Sequence, residues 1–164
     1  MEKDFSHAFE HIDGVIFAAG SGGATGADKT ILVDLWGAKK AVDYAVQYNV
    51  KRFIQLSATD SLDPDSETEN MKPYAIAKNL SDYYIKNSTL AYTLIHPGPL
   101  NNDIGTGKIA ATSQLNDHPN SYTITREDVA TTLVQALDID SLKYTSIFIQ
   151  SGDRDIKDAL NQLQ

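Results

Sequence analysis

Apolar positions follow two rhythms along this chain. Residues 14–19, GVIFAA, are an unbroken apolar run of strand length, the longest in the chain. Residues 28–48 instead place Ile31, Leu32, Leu35, Ala38, Val42, Ala45 and Val46 at helical spacing, which predicts a long helix. KRFIQLS (51–57) predicts a second strand, 73–87 a second helix and AYTLIH (91–96) a third strand. Residues 4–11 read as the end of a helix. Further on come a short strand at 107–113, a helix at 126–138, a strand at 144–150 and a short helix at 153–163. Thr125 starts the helix at 126, with Asp128 three positions on, a capping box with Asp in place of Glu or Gln. Residues 59–70 form an acidic polar loop, and Pro and Gly mark PGPLNNDIGTG as another. Strands alternate with helices almost throughout, which predicts an α/β fold with a parallel sheet covered on both faces.

A chain of 164 residues is enough for one domain, read as 1–164. No segment approaches the roughly 20 apolar residues of a membrane span. The opening MEKDFSHAFEHID has no apolar centre, so the expected location is cytoplasmic. The chain contains no cysteine, which excludes disulfides and thiolate metal sites. A net charge of -8 argues against nucleic acid and anionic membranes as partners, since both need clustered Lys and Arg. A phosphorylated small ligand stays possible, because a helix N-terminus binds phosphate whatever the net charge.

The first strand runs into Gly20, Gly22, Gly23 and Gly26. Strand, glycine turn, helix is how a dinucleotide cradle begins, in the frame G-x-G-x-x-G with an acid about 20 residues on. Gly20 and Gly22 fill the first two positions, but Thr25 holds the third, and Asp60 ends the next strand 34 positions after Gly26. The frame is broken and its spacing stretched, so a plain flexible turn competes with a phosphate cradle.

KPYAIAK places Tyr74 and Lys78 four apart on one helical face. A free tyrosine titrates near ~10, and a neighbouring ammonium lowers that value. Such a tyrosine exchanges a proton with a carbonyl or alcohol near neutral pH. Ser57, at the carboxyl end of the preceding strand, can hydrogen-bond the same substrate oxygen. Many helices carry a Tyr and a Lys at this spacing by chance. The order of features is more specific: glycine turn, long helix, strand ending in Ser57, helix with Tyr74 and Lys78, strand ending in HPGPL, and then TREDVA at 125–130.

That order resembles the second half of a short-chain dehydrogenase/reductase. It looks most like the atypical, NmrA-like and NAD(P)-dependent epimerase-like members, and the likeness covers nearly the whole chain. The resemblance implies a Rossmann-like domain and NADP(H) or NAD(H) as cofactor. It implies a catalytic set of Ser57, Tyr74, Lys78 and Asp34, with Tyr74 as acid/base and Lys78 lowering its pKa and holding the nicotinamide ribose. Asp34 stands where many members carry Asn. Ala18, Ala19, Gly20, Lys78, Pro97, Gly98 and Leu100 would line the cofactor. His96 departs from the family's usual Arg. The implied activity is an oxidoreductase or epimerase acting on a carbonyl or alcohol of a small molecule; the alternative is a non-catalytic, NADP-sensing NmrA-like regulator.

The family's phosphate-binding glycine motif sits on its first strand, and this chain shows no such unit. The resemblance thus implies an N-terminally truncated, partial domain, short of roughly 50–60 residues of βα units. A truncated product, a misassigned start or a partner completing the sheet would each account for it, and cofactor binding is expected to be weak or absent. Strand 14–19 then becomes a sheet edge, a place where another chain pairs. A homodimer through that edge or through the long helix follows, with Trp36 as core or interface. The four histidines, His7, His11, His96 and His118, are scattered; His7 and His11, four apart on the expected helix, have a spacing that can bind metal, but with no carboxylate partner beyond Glu10 they read as an exposed helical face and no metal site is expected. Asp60, Asp63, Asp65, Glu67 and Glu69 lack calcium-loop spacing and read as solvated. Tyr83, Tyr84 and Tyr92 read as packing residues.

Overall fold

The computed structural model describes residues 3–114 and 123–163; His118 lies outside them. In chain order the elements are β1 (Gly14–Phe17), α1 (Ala27–Thr30), a π-helical turn (Ile31–Leu35), α2 (Trp36–Gln47), β2 (Arg52–Leu56), α3 (Lys72–Lys86) and β3 (Tyr92–Pro97). Then follow β4 (Leu100–Asn101), β5 (Lys108–Thr112), β6 (Ile124–Thr125), α4 (Arg126–Ala136), β7 (Thr145–Ser151), β8 (Arg154–Asp155) and α5 (Ile156–Asn161). The strands form a sheet of order β1-β2-β3-β7-β5-β8, with β4-β6 as a separate pair. It is a mostly parallel α/β sheet: β3 runs parallel to β7, with Ile95 opposite Ile147 and Pro97 opposite Ile149.

One end of the sheet departs from the all-parallel expectation. β5 lies antiparallel to both β7 and β8. Its exposure explains this: Ile109 is buried while Lys108 and Ala110 are exposed, the one-sided wetting that antiparallel strands tolerate. The β4–β6 pair, Leu100 opposite Ile124 and Asn101 opposite Thr125, lies partly in the segment expected to be loop.

The chain packs as two compact units, Met1–Phe53 with Asp60–Ala91, and Ile54–Thr59 with Tyr92–Gln164. In the first, small residues on α2 (Ala38, Ala41, Ala45) and α3 (Ala75) are at most 1 % exposed and let the helices approach closely. Phe9 packs tilted against Tyr44 and Phe5 meets it edge-on, with ring centroids 5.7 and 5.1 Å from Tyr44. The expected helix at 4–11 is only a 3-10 turn, Ser6–Phe9, so His7 and His11 do not share a helical face, and His11 sits at φ 59. In the second unit, Leu94, Ile95, Ile147 and Ile149 of β3 and β7 are fully buried with Ile109, Ile156 and Leu160. Among the described residues no helix is long and apolar enough to cross a membrane.

The long helix over 28–48 is present but not regular. Its π turn inserts an extra residue and shifts the helical phase. Ile31, expected inside, is 54 % exposed, whereas Asp34 is buried. Val46 and Trp36 are also exposed, so Trp36 is not a core residue.

Candidate active site

In the first unit the site is built on the turn after β1. Gly22 takes φ +80, a conformation side chains resist, and a Cβ at Gly22 or Gly23 would meet nothing within 4 Å. The backbone there is bare and open to a ligand, as a phosphate or sugar contact requires. Thr25, which breaks the glycine frame, closes the turn: its N donates to the Gly22 carbonyl at 3.2 Å and its hydroxyl to the same oxygen at 3.0 Å. Gly26 then caps α1 without a side chain.

Asp34 holds this turn. Its Oδ2 accepts from the Ser21 N–H at 2.9 Å, and the Ser21 and Thr30 hydroxyls pair at 3.2 Å. A Cβ on Gly20 would lie 3.1 Å from Asp34 Oδ1, so glycine is what lets the strand end pass so near the carboxylate. A part-buried, charge-assisted bond of this kind contributes about 1.5–3 kcal/mol. The π turn aims Asp34 inward, so the same irregularity that exposes Ile31 places the carboxylate. Ala18 and Ala19 lead into the turn, Ala18 exposed and Ala19 half-buried.

α3 packs on the π turn and carries the tyrosine–lysine pair. Pro73 stands in its first turn, where its missing N–H is not needed. Tyr74 is half-buried and Lys78 is 3 % exposed. Burial, then the charges of Asp34, Asp60 and Asp82, push the Tyr74 phenol above the ordinary tyrosine value. That direction is opposite to the lowering that the Tyr–Lys spacing suggests. Burial in turn pulls Lys78 below the ordinary lysine value, against the attraction of Asp82 and Asp34. Asp82 is 5 % exposed and accepts from the Ser61 hydroxyl at 3.1 Å; Asn79 Nδ2 donates to the Ser61 carbonyl at 2.8 Å. Asp60 and Ser61 lie in the segment read as a solvated loop, which is folded into 3-10 turns, Thr59–Leu62 and Pro64–Ser66.

The second unit holds the other expected site residues at carboxyl strand ends. Ser57 is 2 % exposed and its N–H donates to the Ile95 carbonyl at 2.8 Å. Pro97 ends β3, and the Gly98 N–H donates to the Ile149 carbonyl at 3.1 Å. Leu100 follows, partly exposed, in β4. His96 serves packing: Nδ1 lies 3.1 Å from the Ala58 carbonyl oxygen and the ring stacks on Phe148 at 5.0 Å. The family's arginine has no counterpart in that buried setting.

Beyond Leu100 the chain is clamped by the start of α4. Thr125 Oγ1 accepts from Asp128 N at 3.0 Å, the expected cap. The acid does not complete the box. Asp128 instead accepts from Gly107 N at 2.8 Å and Thr106 N at 3.1 Å, while Glu127 accepts from Gly105 N at 2.8 Å. Arg126 donates to the Asn102 side chain at 2.8 Å. The adjacent acids of TREDVA facing GTG were the available signal for this clamp, and spacing alone did not couple them.

A family model described as NAD(P)H-binding matches residues 1–140. An uncharacterized sugar epimerase, YhfK, of Bacillus subtilis is 40 % identical over 161 residues, covering 98 % of this chain and 73 % of that protein. A solved putative NAD-dependent epimerase/dehydratase from Bacillus halodurans superposes with TM-score 0.94 at 44 % identity, covering 99 % of this chain and 75 % of that one. The oxidoreductase ylbE from Lactococcus lactis gives TM-score 0.83 at 32 % identity, over 96 % of this chain and 70 % of that one.

Proposed function

Because this chain belongs to the NAD(P)H-binding Rossmann-like family of epimerases and oxidoreductases, we propose that it takes part in reduction of a carbonyl group, with Tyr74 as proton donor. When bound, a reduced nicotinamide supplies the hydride. The turn 20–25 would take the middle of the cofactor against its open backbone, and Lys78 would face its ribose. Ala18, Ala19, Gly20, Pro97, Gly98 and Leu100 are assigned to the cofactor's path, and Ser57 to the substrate oxygen. Asp34 is assigned to holding the turn rather than to the chemistry.

The observation that carries the reading is the buried face of α3, where Tyr74 and Lys78 sit beside the π turn that fixes the glycine loop. At neutral pH the phenol carries its proton, so the form that can give one to a carbonyl oxygen is the form present, while its raised pKa makes it a weaker acid than a free tyrosine. The test is NADPH consumption at millimolar NADPH with a panel of aldehydes, ketones and quinones. Tyr74→Phe is expected to lose roughly 10²–10⁴ of the rate; equal turnover by both proteins overturns the assignment.

The raised Tyr74 value also favours a second reading, an NADP-sensing regulator of the NmrA-like kind. That reading expects NADPH binding with no consumption of NADPH by any carbonyl in the panel. In either case we propose weak cofactor binding by these 164 residues, whose glycine turn departs from the phosphate-binding frame; fluorescence titration giving a micromolar Kd would overturn this. A cytoplasmic location and a homodimer belong to the same proposal. The dimer would form through β1, at the end of the strand order, or through α2, where Trp36 is 48 % exposed. Sedimentation showing monomer only, across the concentration range, rejects it.

A further inference from the structure

We infer that Asp82 is a positioning residue for Lys78: a buried carboxylate one helical turn further along α3, fixed by Ser61, that keeps the lysine ammonium charged inside the protein. Nothing in the Tyr-x-x-x-Lys spacing draws attention to it. Three observations carry the inference. First, Lys78, Ser81 and Asp82 are 3 %, 1 % and 5 % exposed, so α3 buries both charged groups on one side. A spacing of four makes them neighbours on the helix surface. Second, Asp82 is not a loose acid. Ser61 Oγ donates to its Oδ2 at 3.1 Å, and Asn79 Nδ2, from the turn between Lys78 and Asp82, donates to the Ser61 carbonyl at 2.8 Å. The 3-10 turn Thr59–Leu62 is thereby tied to α3 at the carboxylate.

Third, the electrostatics need it. A buried ammonium without a compensating charge gives up its proton rather than pay for desolvation. Burial pulls Lys78 down, and of the charges that oppose this, Asp82 acts more strongly than Asp34 on the π turn. The other titratable groups of this unit on the same field are Tyr74, one turn earlier on α3, and Asp60, beside Ser61. Asp60 and Asp34 act on Tyr74 as well, but Asp82 is the one held at a spacing of four from the lysine. The reverse pair, a buried Asp82 with a neutral Lys78, would leave an uncompensated carboxylate, which is more costly still.

What the charge is used for rests on the reading of Lys78 given above; that Asp82 maintains it does not. The experiment separates the two. The 164-residue chain is produced with lysine labelled at Cε, the Lys78 resonance is identified by its loss in Lys78→Arg, and its titration is followed by NMR. Asp82→Asn is expected to move the Lys78 midpoint down by about one pH unit or more, the usual scale for loss of a close opposite charge. Ser61→Ala is expected to move it less and in the same direction, and Asp82→Glu to restore most of it. A fall confined to the folding stability, with the midpoint within about 0.3 units of the parent, overturns the inference. Should Asp82→Asn fail to fold, Ser61→Ala decides, and an unmoved midpoint there overturns it equally. NADPH consumption is measured beside the titration. A shifted Lys78 with unchanged consumption sustains the role of Asp82 and counts against Lys78 in catalysis; a shifted Lys78 with lost consumption sustains both; an unshifted Lys78 overturns the role of Asp82 whatever the consumption.

Discussion

Replacing Asp34 separates the catalytic role that the family resemblance implies from the loop-holding role that its hydrogen bond to Ser21 supports. The carboxylate is 1 % exposed and accepts the Ser21 N–H at 2.9 Å. Asp34→Asn keeps an oxygen at that place and loses the charge. A charge-assisted hydrogen bond contributes about 1.5–3 kcal/mol and a neutral one about 0.5–1.5, so the exchange costs about 1 kcal/mol. Asp34→Ala leaves the Ser21 amide without that acceptor and opens a small hole, for a total of about 2–3 kcal/mol. Since the chain packs as two units, a local readout is better than a global midpoint. Hydrogen exchange at the Ser21 amide should speed up about fivefold in Asp34→Asn and more than thirtyfold in Asp34→Ala. The same substitutions remove a negative charge that opposes Tyr74 ionisation, so the Tyr74 midpoint should fall. The absorbance titration, differenced against Tyr74→Phe, reads that shift. Ser21 exchange that is equal in Asn, Ala and the parent refutes the holding role. A Tyr74 midpoint that rises refutes the electrostatic account.

Three further outcomes are expected. Gly152→Ala should cost about 3 kcal/mol, the upper end for overpacking, because a Cβ there would lie 2.3 Å from Ala110 N, a backbone atom with nowhere to go; urea unfolding followed on the second unit's strands checks it. Asp128→Asn should cost about 2 kcal/mol at pH 7 by weakening the bonds to Gly107 and Thr106. The Asp128 carboxyl is held below the ordinary aspartate value by those backbone donors, against the opposing effect of burial. Its stabilisation is therefore present above the unfolded value near 3.9 and lost as pH falls below it, so the gap between variant and parent should close in acid. Burial and the neighbouring carboxylates raise Tyr74, so the native state holds its proton to higher pH than the unfolded chain does. Stability from this group is full below about pH 10 and falls as pH rises beyond. Denaturant midpoints at alkaline pH should accordingly drop further for the parent than for Tyr74→Phe.

The fold was legible where burial is strong and local pattern consistent. Ile95, Ile147 and Ile149 sit in short apolar runs, and those runs are β3 and β7. The direction of β5 was not legible, because alternation over five residues marks a half-wet strand without saying which neighbour it meets. The β4–β6 pair was missed for a different reason: two residues carry no period at all. The π turn was invisible too. Helical spacing assigned Ile31 to the core because periodicity assumes an unbroken helix, and one inserted residue turns Ile31 out and Asp34 in. A buried acid in an otherwise apolar stretch was the one trace the turn left in the sequence.

The site shows the limit of reading chemistry from spacing. Tyr74 and Lys78 are on one helix as predicted, yet spacing counts only the pair, whereas a titration responds to every charge in reach. Asp34 comes from 40 residues earlier, Asp60 from the turn before α3, and Asp82 from the next turn of the same helix. Three carboxylates act on the half-buried phenol together with its burial, and both keep the proton on it. Two of these acids have a reason to be there that is unrelated to the tyrosine: Asp34 holds Ser21, and Asp82 is bound by Ser61. The protonation state of Tyr74 thus follows from how the turn and helix are fastened. Giving up the proton creates the same phenolate that a base would start from, so proton transfer in either direction works against these fastened charges.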